Sequence, residues 1–364
     1  MESPTRKLNK LLISNLIITE GDTDLKILGI GRALPEQVIT NKDLEKVLDT
    51  SDEWIQSRTG IRERRVLSEQ NLNSLAFNAA KEALEDAGIE GKDIDLVLVA
   101  TTMADHVFPP LSSLLAGEIE TDCPTIDIHA ACTGFIYCLM TAEAYLKSGM
   151  AAKILLVCAE AFTRLVDWKD RSTCVLFGDG AAAVVLENGD DLLSIHLSTQ
   201  ANEQMLFHHS PPGNSPYTKG QTYQKNGLSM EGQDVFRFAV SQSERDLDTV
   251  LKAAGFNAEQ VDWVLFHQAN RRIIDAVQRR MNLSPEKLPI NIHRVGNTSA
   301  ASIPLLLWEL YHAGKLLPGQ TLAMSAFGAG LTSGACIIRW SKEQPDITVD
   351  ERDLFPPQLF SLPN

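Results

Sequence analysis

The feature that most restricts how this chain can fold is that its sequence repeats itself. Residues 84–99 read LEDAGIEGKDIDLVLV, and residues 251–266 read LKAAGFNAEQVDWVLF. In both, Ala-Gly ends a helix, a short polar linker follows, and an aspartate introduces a run of strand-forming residues. Asp95 and Asp262 are 167 residues apart. Further along, Ile126-Asp127-Ile128-His129 answers Ile290-Asn291-Ile292-His293 at an offset of 164. The helices that follow close near Gly149 and Gly314, at an offset of 165, and Gly180-Ala-Ala-Ala-Val-Val-Leu resembles Gly334-Ala-Cys-Ile-Ile-Arg-Trp. Four matches in the same order predict two similar halves, 25–190 and 191–342, packed about a pseudo-twofold axis. Each half alternates buried Val/Ile/Leu-rich strands with amphipathic helices, so the expected class is α/β. Residues 1–24 read as an amino-terminal extension, 201–227 as an irregular polar insertion, and 343–364 as an acidic, proline-containing tail.

Composition narrows the function. With 364 residues, 44% hydrophobic and 22% charged, the chain is long enough for two domain-sized units and ordinary for a globular protein. A formal net charge of −14 opposes general binding to nucleic acid or anionic membrane, without forbidding a local basic patch. No apolar run approaches the roughly 20 residues of a membrane-spanning helix. The six cysteines, at 123, 132, 138, 158, 174 and 336, form no CxxC pair and no regular framework. Five of them read as reduced, buried thiols of a cytoplasmic protein.

The sixth, Cys132, stands apart. Ala130-Ala131-Cys132-Thr133-Gly134-Phe135 joins a strand, Thr125 to His129, to a helix running to about Gly149. A thiol at the positive end of a helix dipole should have a lowered pKa and nucleophilic character. His267, in Phe266-His267-Gln268-Ala269-Asn270, leaves the carboxyl end of the second repeat's strand, where sites of α/β sheets form. Asn297, in Gly296-Asn297-Thr298-Ser299-Ala300-Ala301-Ser302, stands 165 residues after Cys132, so the repeat offset places it in the corresponding turn of the second half. Pseudo-symmetry should bring the three together. Phe327-Gly328-Ala329-Gly330-Leu331-Thr332 permits close backbone approach, and an N–H from it, with that of Cys132, could form an oxyanion hole.

This constellation resembles the β-ketoacyl-[acyl carrier protein] synthase III family, initiating condensing enzymes of the thiolase-like superfamily. The resemblance runs from about Leu25 to Trp340. It includes Leu34-Pro-Glu-Gln, Thr50-Ser-Asp-Glu-Trp-Ile, Arg58-Thr-Gly-Ile-Arg-Glu-Arg, Asp170-Arg-Ser-Thr and Phe177-Gly-Asp-Gly-Ala beside the segments already quoted. An asparagine as third member favours the initiating class over elongating synthases, which use Cys-His-His. The resemblance implies a layered α/β sandwich of two βαβα-type halves. It implies that Cys132 takes an acyl group from acyl-CoA. His267 and Asn297 would then hold the thioester of malonyl-[acyl carrier protein] through decarboxylation, with the backbone N–H groups of Cys132 and Ala329 as the oxyanion hole. No metal or redox cofactor is required. It also implies that Trp54 and Arg171 sandwich the CoA adenine and that Arg58 reaches its phosphates. Phe108 would cross a homodimer interface into the acyl pocket, which Phe177 and Leu228 also line, and Arg271 and Arg272 would dock the carrier protein.

Three departures stand out. Ala329 replaces the middle glycine of the oxyanion loop and is tolerable if its φ is negative. Ser333 stands where tryptophan is frequent. His129, near the nucleophile, reads as a structural strand residue. Two other enzyme readings compete: a ketosynthase or acyltransferase of secondary metabolism, and a thiolase. Against the thiolase, Cys336 lies beyond the glycine loop, in the final strand. A noncatalytic partner subunit should have lost the nucleophile, whereas Cys132, His267 and Asn297 are all present.

Overall fold

The computed structural model describes residues 16–19, 24–209 and 227–345. Its main strands are β1 (Leu16–Thr19), β2 (Lys26–Ala33), β3 (Leu96–Ala100), β4 (Thr125–Ile128), β5 (Lys153–Ala161), β6 (Asp179–Glu187), β7 (Leu192–Thr199), β8 (Trp263–Phe266), β9 (Thr321–Gly328) and β10 (Thr332–Arg339). They form two five-stranded mixed sheets, ordered β2-β6-β5-β3-β4 and β1-β7-β10-β9-β8. Each sheet holds parallel pairing toward one side, β5 with β3 in the first and β9 with the edge strand β8 in the second. The antiparallel return strands, β6 and β10, follow from Gly180 and Gly334 of the repeat.

Strand periodicity builds the layers. Along β5, Ile154, Leu156 and Cys158 enter one core while Leu155, Val157 and Ala159 enter another. This is the two-faced burial that near-continuous apolar strands require. The first of these cores is the middle of the molecule. It holds helices α3 (Gly134–Lys147) and α6 (Ser302–His312), clasped between the sheets with residues of both halves. Outside, α2 (Leu72–Ala87) covers the first sheet. The second sheet is covered by α4 (Gly232–Ala253) and α5 (Arg271–Met281). Helix α2 lies so close that a Cβ at Gly29 or Gly31 would fall 2.2 Å from a carbonyl oxygen of that helix. Its ends follow local rules: the Asn71 side chain accepts from Ser74 N–H, and Gly88 closes it at φ 67°.

The repeat holds at most of its landmarks and slips at one. Strands β3 and β8, the glycines at 149 and 314 (φ 70° and 67°), and strands β6 and β10 correspond as expected. The match of 126–129 with 290–293 does not, because β4 is a strand whereas Ile292–Val295 is a helical turn. Single 3₁₀ turns precede the two central helices, at Ala131–Thr133 and Ser299–Ala301. The offset there is 168, that is 299 less 131. Cys132 therefore corresponds to Ala300, and Asn297 lies three residues ahead of that position, before the turn begins.

The extension also carries structure. β1 pairs antiparallel with β7 and becomes the edge of the second sheet. Residues 1–15 and 20–23, most of the 201–227 insertion and most of the 343–364 tail lie outside the described residues.

Candidate active site

Cys132 sits in the 3₁₀ turn between β4 and α3, buried, with Ala131 before it at φ 45°. The turn is fixed from below by the Thr133 hydroxyl, which donates to Ala130 O at 2.6 Å and meets Thr332 Oγ1 at 2.9 Å. From the side it is packed by the end of β9. A Cβ at Gly328 would stand 2.9 Å from Cys132 N and 3.2 Å from its Cβ, so glycine is needed for the approach. Ala329 follows without a positive φ, which meets the condition for alanine in this loop. Its carbonyl accepts from the Thr332 hydroxyl at 3.1 Å.

The thiol differs from the expectation of a lowered pKa. Burial pushes it up to about 12, opposed by a hydrogen bond with the Ser299 side chain and reinforced by the charge of Glu160. A helix terminus contributes about 0.3–2 kcal/mol. Full burial can shift a pKa by 3–5 units, about 4–7 kcal/mol, so desolvation wins. Near neutral pH the Cys132 side chain rests as a thiol.

His267 follows the end of β8, and its N–H donates to Ser325 O at 2.8 Å. Its ring lies edge-on to Phe327, with centroids 5.5 Å apart, and Nδ1 is 2.7 Å from Ser302 Oγ. Ser302 Oγ also accepts from Gln268 N–H at 3.4 Å, and its own proton is free to turn to Nδ1. With the serine proton on Nδ1, the imidazole's own N–H sits on Nε2. Burial lowers the ring's pKa to about 3, so it is neutral. Asn297 is held through its backbone, its N–H donating to Leu176 O at 2.9 Å and its O accepting from Gly178 N–H at 3.0 Å. Its Oδ1 accepts from Ser299 N–H at 2.9 Å, so Nδ2 is the end left to donate. Cys132, Ser299 and Asn297 thus form one chain of contacts. Gly328 and Phe327, adjacent in β9, touch Cys132 and His267 in turn.

The remaining residues lie around this centre. Trp54, half-buried on helix α1 (Asp52–Thr59), has the Arg171 guanidinium 5.2 Å from its ring centroid. Arg171 is also paired with Asp49. A ring held between two such faces needs them about 7 Å apart, so Arg171 must swing aside to admit one. Arg58 is exposed in the last turn of that helix, and its carbonyl accepts from Asn270 Nδ2 at 3.2 Å. Asn270 caps α5, which brings Arg58 beside the two arginines that open it. Arg272 is exposed, whereas Arg271 is half-buried and bonded to Asp275 at 2.6 Å. Phe177, stacked on Phe162 at 5.0 Å, and Leu228 share one apolar cluster, and Phe177 bridges Asn297. Phe108 and Val107 are 83% and 96% exposed. His129 is exposed beyond the end of β4, so it is not the strand residue expected. Ser333 is buried and lines a polar cavity of about 450 Å³ with His196 and Asp246.

The sequence reading passed over Ser299, Ser302 and Glu160. The serines were in plain view in the Asn297 segment, but their partners are distant in sequence. Glu160 had a signal of its own: a carboxylate inside Lys153–Ala161, a strand otherwise apolar after its first residue. Among the described residues no group of three His, Cys, Asp or Glu could hold a metal ion. Among them, too, no helix is long and apolar enough to cross a membrane.

Two clasped α/β halves with a thiol, a neutral imidazole and a carboxamide at their junction define an acyl-transferring enzyme of the thiolase-like fold, built for thioester chemistry. Models of 3-oxoacyl-[acyl-carrier-protein] synthase III match residues 126–201, and those of its C-terminal part match 251–340. The β-ketoacyl-[acyl-carrier-protein] synthase III of Xanthomonas campestris pv. campestris is 43% identical over 322 residues, covering 86% of this chain and 98% of its own. The crystal structure of 3-oxoacyl-[acyl-carrier-protein] synthase III from Aquifex aeolicus VF5 superposes with a TM-score of 0.81 at 41% identity, covering 87% and 100% of the two chains. The priming β-ketosynthase of the R1128 polyketide pathway gives 0.82 at 32% identity, covering 88% and 97%. The chain belongs to the β-ketoacyl-[acyl-carrier-protein] synthase III family, the condensing enzymes that initiate type II fatty acid synthesis.

Proposed function

We propose that the chain condenses an acyl-CoA primer with malonyl-[acyl carrier protein], using Cys132 as nucleophile and His267 with Asn297 as the decarboxylation pair. Cys132 attacks the acyl-CoA carbonyl, forming an acyl-cysteine and releasing CoA. The backbone N–H groups of Cys132 and Ala329 receive the oxyanion. Malonyl-[acyl carrier protein] then enters, and its thioester carbonyl accepts hydrogen bonds from His267 Nε2–H and Asn297 Nδ2. As carbon dioxide leaves, the enolate oxygen gains charge against these two donors. The enolate carbon attacks the acyl-Cys132 carbonyl, giving 3-oxoacyl-[acyl carrier protein]. No step calls on a metal or redox cofactor.

The observation that carries this reading is the state of the two donors. A neutral imidazole whose Nδ1 meets a hydroxyl able to donate to it, and a carboxamide whose oxygen is already occupied, can present two N–H groups and no competing charge. A general acid poised near neutral pH would instead protonate the enolate before it could attack. Trp54, Arg171 and Arg58 would hold the CoA, Phe177 and Leu228 would line the acyl pocket, and Arg272 would meet the acidic carrier protein. The half-buried Arg271 would act mainly by holding the start of α5. Both substrates are soluble, which suits a cytoplasmic enzyme that binds neither nucleic acid nor membrane.

Mass spectrometry after exposure to acetyl-CoA tests the assignment. The wild type should gain one acetyl group, on the peptide containing Cys132. Cys132→Ala should gain none, while His267→Ala and Asn297→Ala should still be acylated and lose condensation by about a hundredfold or more. An acylated Cys132→Ala protein would refute the nucleophile.

A further inference from the structure

Acylation of a thiol raises a question the three residues above do not answer: where its proton goes. Burial holds Cys132 as a thiol, and His267 Nδ1 is occupied by Ser302. Another group does reach the sulfur. The Ser299 side chain lies beside the thiol and favours its charged form, and the Ser299 hydroxyl donates to Glu160 Oε1 at 3.0 Å. Glu160 lies near the end of β5, 1% exposed. Thr102 contacts both its oxygens, through N–H to Oε2 at 2.9 Å and through its hydroxyl to Oε1 at 3.0 Å, and Ala300 N–H also donates to the carboxylate. No cation lies beside this buried carboxyl group, so hydrogen bonds alone offset the cost of its charge. Ser299 itself is held at φ 51° with its N–H on Asn297, which fixes its hydroxyl between the two groups.

We propose that Glu160 accepts the Cys132 proton through the Ser299 hydroxyl during acylation, stores it while the acyl-enzyme lives, and returns it after condensation. This rests on Cys132 being the acylated residue. In the first half, the Cys132 S–H proton passes to Ser299 Oγ as the Ser299 proton passes to Glu160. The sulfur forms its bond to the acyl carbon, and CoA leaves as a thiolate that takes a proton from solvent. In the second half, malonyl thioester loses carbon dioxide, its carbon displaces the Cys132 sulfur as a thiolate, and the proton on Glu160 returns by the same path. The sum consumes one proton from solvent per turnover, as decarboxylative condensation with release of free CoA requires. Ser299 touches the reacting sulfur, and Glu160 acts through it.

The surroundings make the group suitable. Burial raises Glu160 to about 7, so near neutral pH it can both accept and give up a proton. The ionisable side chains that feel its charge are the Cys132 and Cys158 thiols, both raised by burial and by Glu160. Its contacts from the neighbouring elements, Thr102, Ser299, Ala300 and its strand partner Gly180, carry no charge. His267 stays neutral above about pH 3. Within this cluster, an inflection near pH 7 therefore belongs to Glu160.

The test is single-turnover acylation of Cys132 by acetyl-CoA, followed by rapid quench and intact mass, from pH 5.5 to 9. Glu160→Gln suits the site, because both partners of Oε1 are hydroxyls that can accept from the new amide. In the wild type the saturated rate should rise with pH through an inflection near 7. Glu160→Gln should be slower by about a hundredfold at pH 7.5 and lack the inflection, with half-saturation by acetyl-CoA within about twofold of wild type. Glu160→Asp should recover part of the rate and an inflection. Ser299→Ala should match Glu160→Gln, and the double variant should be no slower than either, as for residues acting as a unit. A Glu160→Gln protein that acylates at the wild-type rate with the inflection kept would overturn the relay. Should that variant not fold, an unchanged inflection in Ser299→Ala would overturn it equally. Absence of acylation on Cys132 in the wild type would instead remove the nucleophile assignment, a separate failure.

Discussion

His267 shows how a buried imidazole is held at a cost to stability. The folded protein keeps the imidazole dry and its pKa near 3, while in the unfolded chain it titrates near 6.5. Between those values the unfolded state binds the extra proton, so stability falls as pH falls. The slope for this one group is about 1.4 kcal/mol per pH unit below 6.5. His267→Gln, which cannot take up that proton, should therefore lose less stability than wild type between pH 6.5 and 4.5. Urea unfolding at both pH values measures the difference. Equal acid sensitivity in the two proteins would mean that the buried ring is not kept neutral. Glu160 bends the other way: its raised pKa makes its contribution greatest below 4.5 and lost as pH rises through 7, which is why the comparison is made with the His267 variant and not from the total curve.

At the scale of elements, the sequence disclosed what local chemistry determines. The Ala-Gly helix ends, the aspartates that open β3 and β8, and the glycine turn before β10 each follow from a residue type with a strong conformational preference, and each falls where the repeat placed it. The slip came where like residues had unlike structure. Ile-Asp-Ile lies in a strand and Ile-Asn-Ile does not, because the second half turns there at Gly296 (φ 68°) to bring Asn297 against Phe177. Convergence of Cys132, His267 and Asn297 was legible, though its symmetry argument was off by three residues. The Cys132 pKa was not legible, since desolvation depends on what packs above the turn. Helix α5 carries the clearest consequence. Arg272 is exposed at its start and Arg271 is tied to Asp275, so the two should respond differently. Arg272→Ala should raise the KM for malonyl-[acyl carrier protein] about three- to tenfold at low salt, converging with wild type at 0.5 M salt, where screening shortens to about 4 Å. With malonyl-CoA as acceptor the change should be absent. Arg271→Ala should lower thermal stability more than it alters that KM.

For the whole molecule, the central question is whether one chain makes a complete site. Val107 and Phe108 stand almost free of their own chain at 96% and 83% exposure, and Met103 nearby is 41% exposed, in a segment stiffened by Pro109 and Pro110. Apolar groups of this size clustered on a loop mark a surface that another body covers. On the family resemblance that body would be a second copy of the chain, with Phe108 closing the partner's acyl pocket. Burying one such ring contributes about 1.5–3 kcal/mol, too little to hold a dimer alone. Phe108→Ala should therefore remain dimeric in sedimentation and shift primer preference toward longer or branched acyl-CoA, read as the ratio of acyl-Cys132 species formed from a mixture. Loss of the dimer would make Phe108 an interface anchor instead of a pocket wall. An unchanged primer profile in a stable dimer would separate the exposed loop from the acyl pocket altogether, leaving Phe177 and Leu228, already buried together beside Asn297, to set chain length within one subunit.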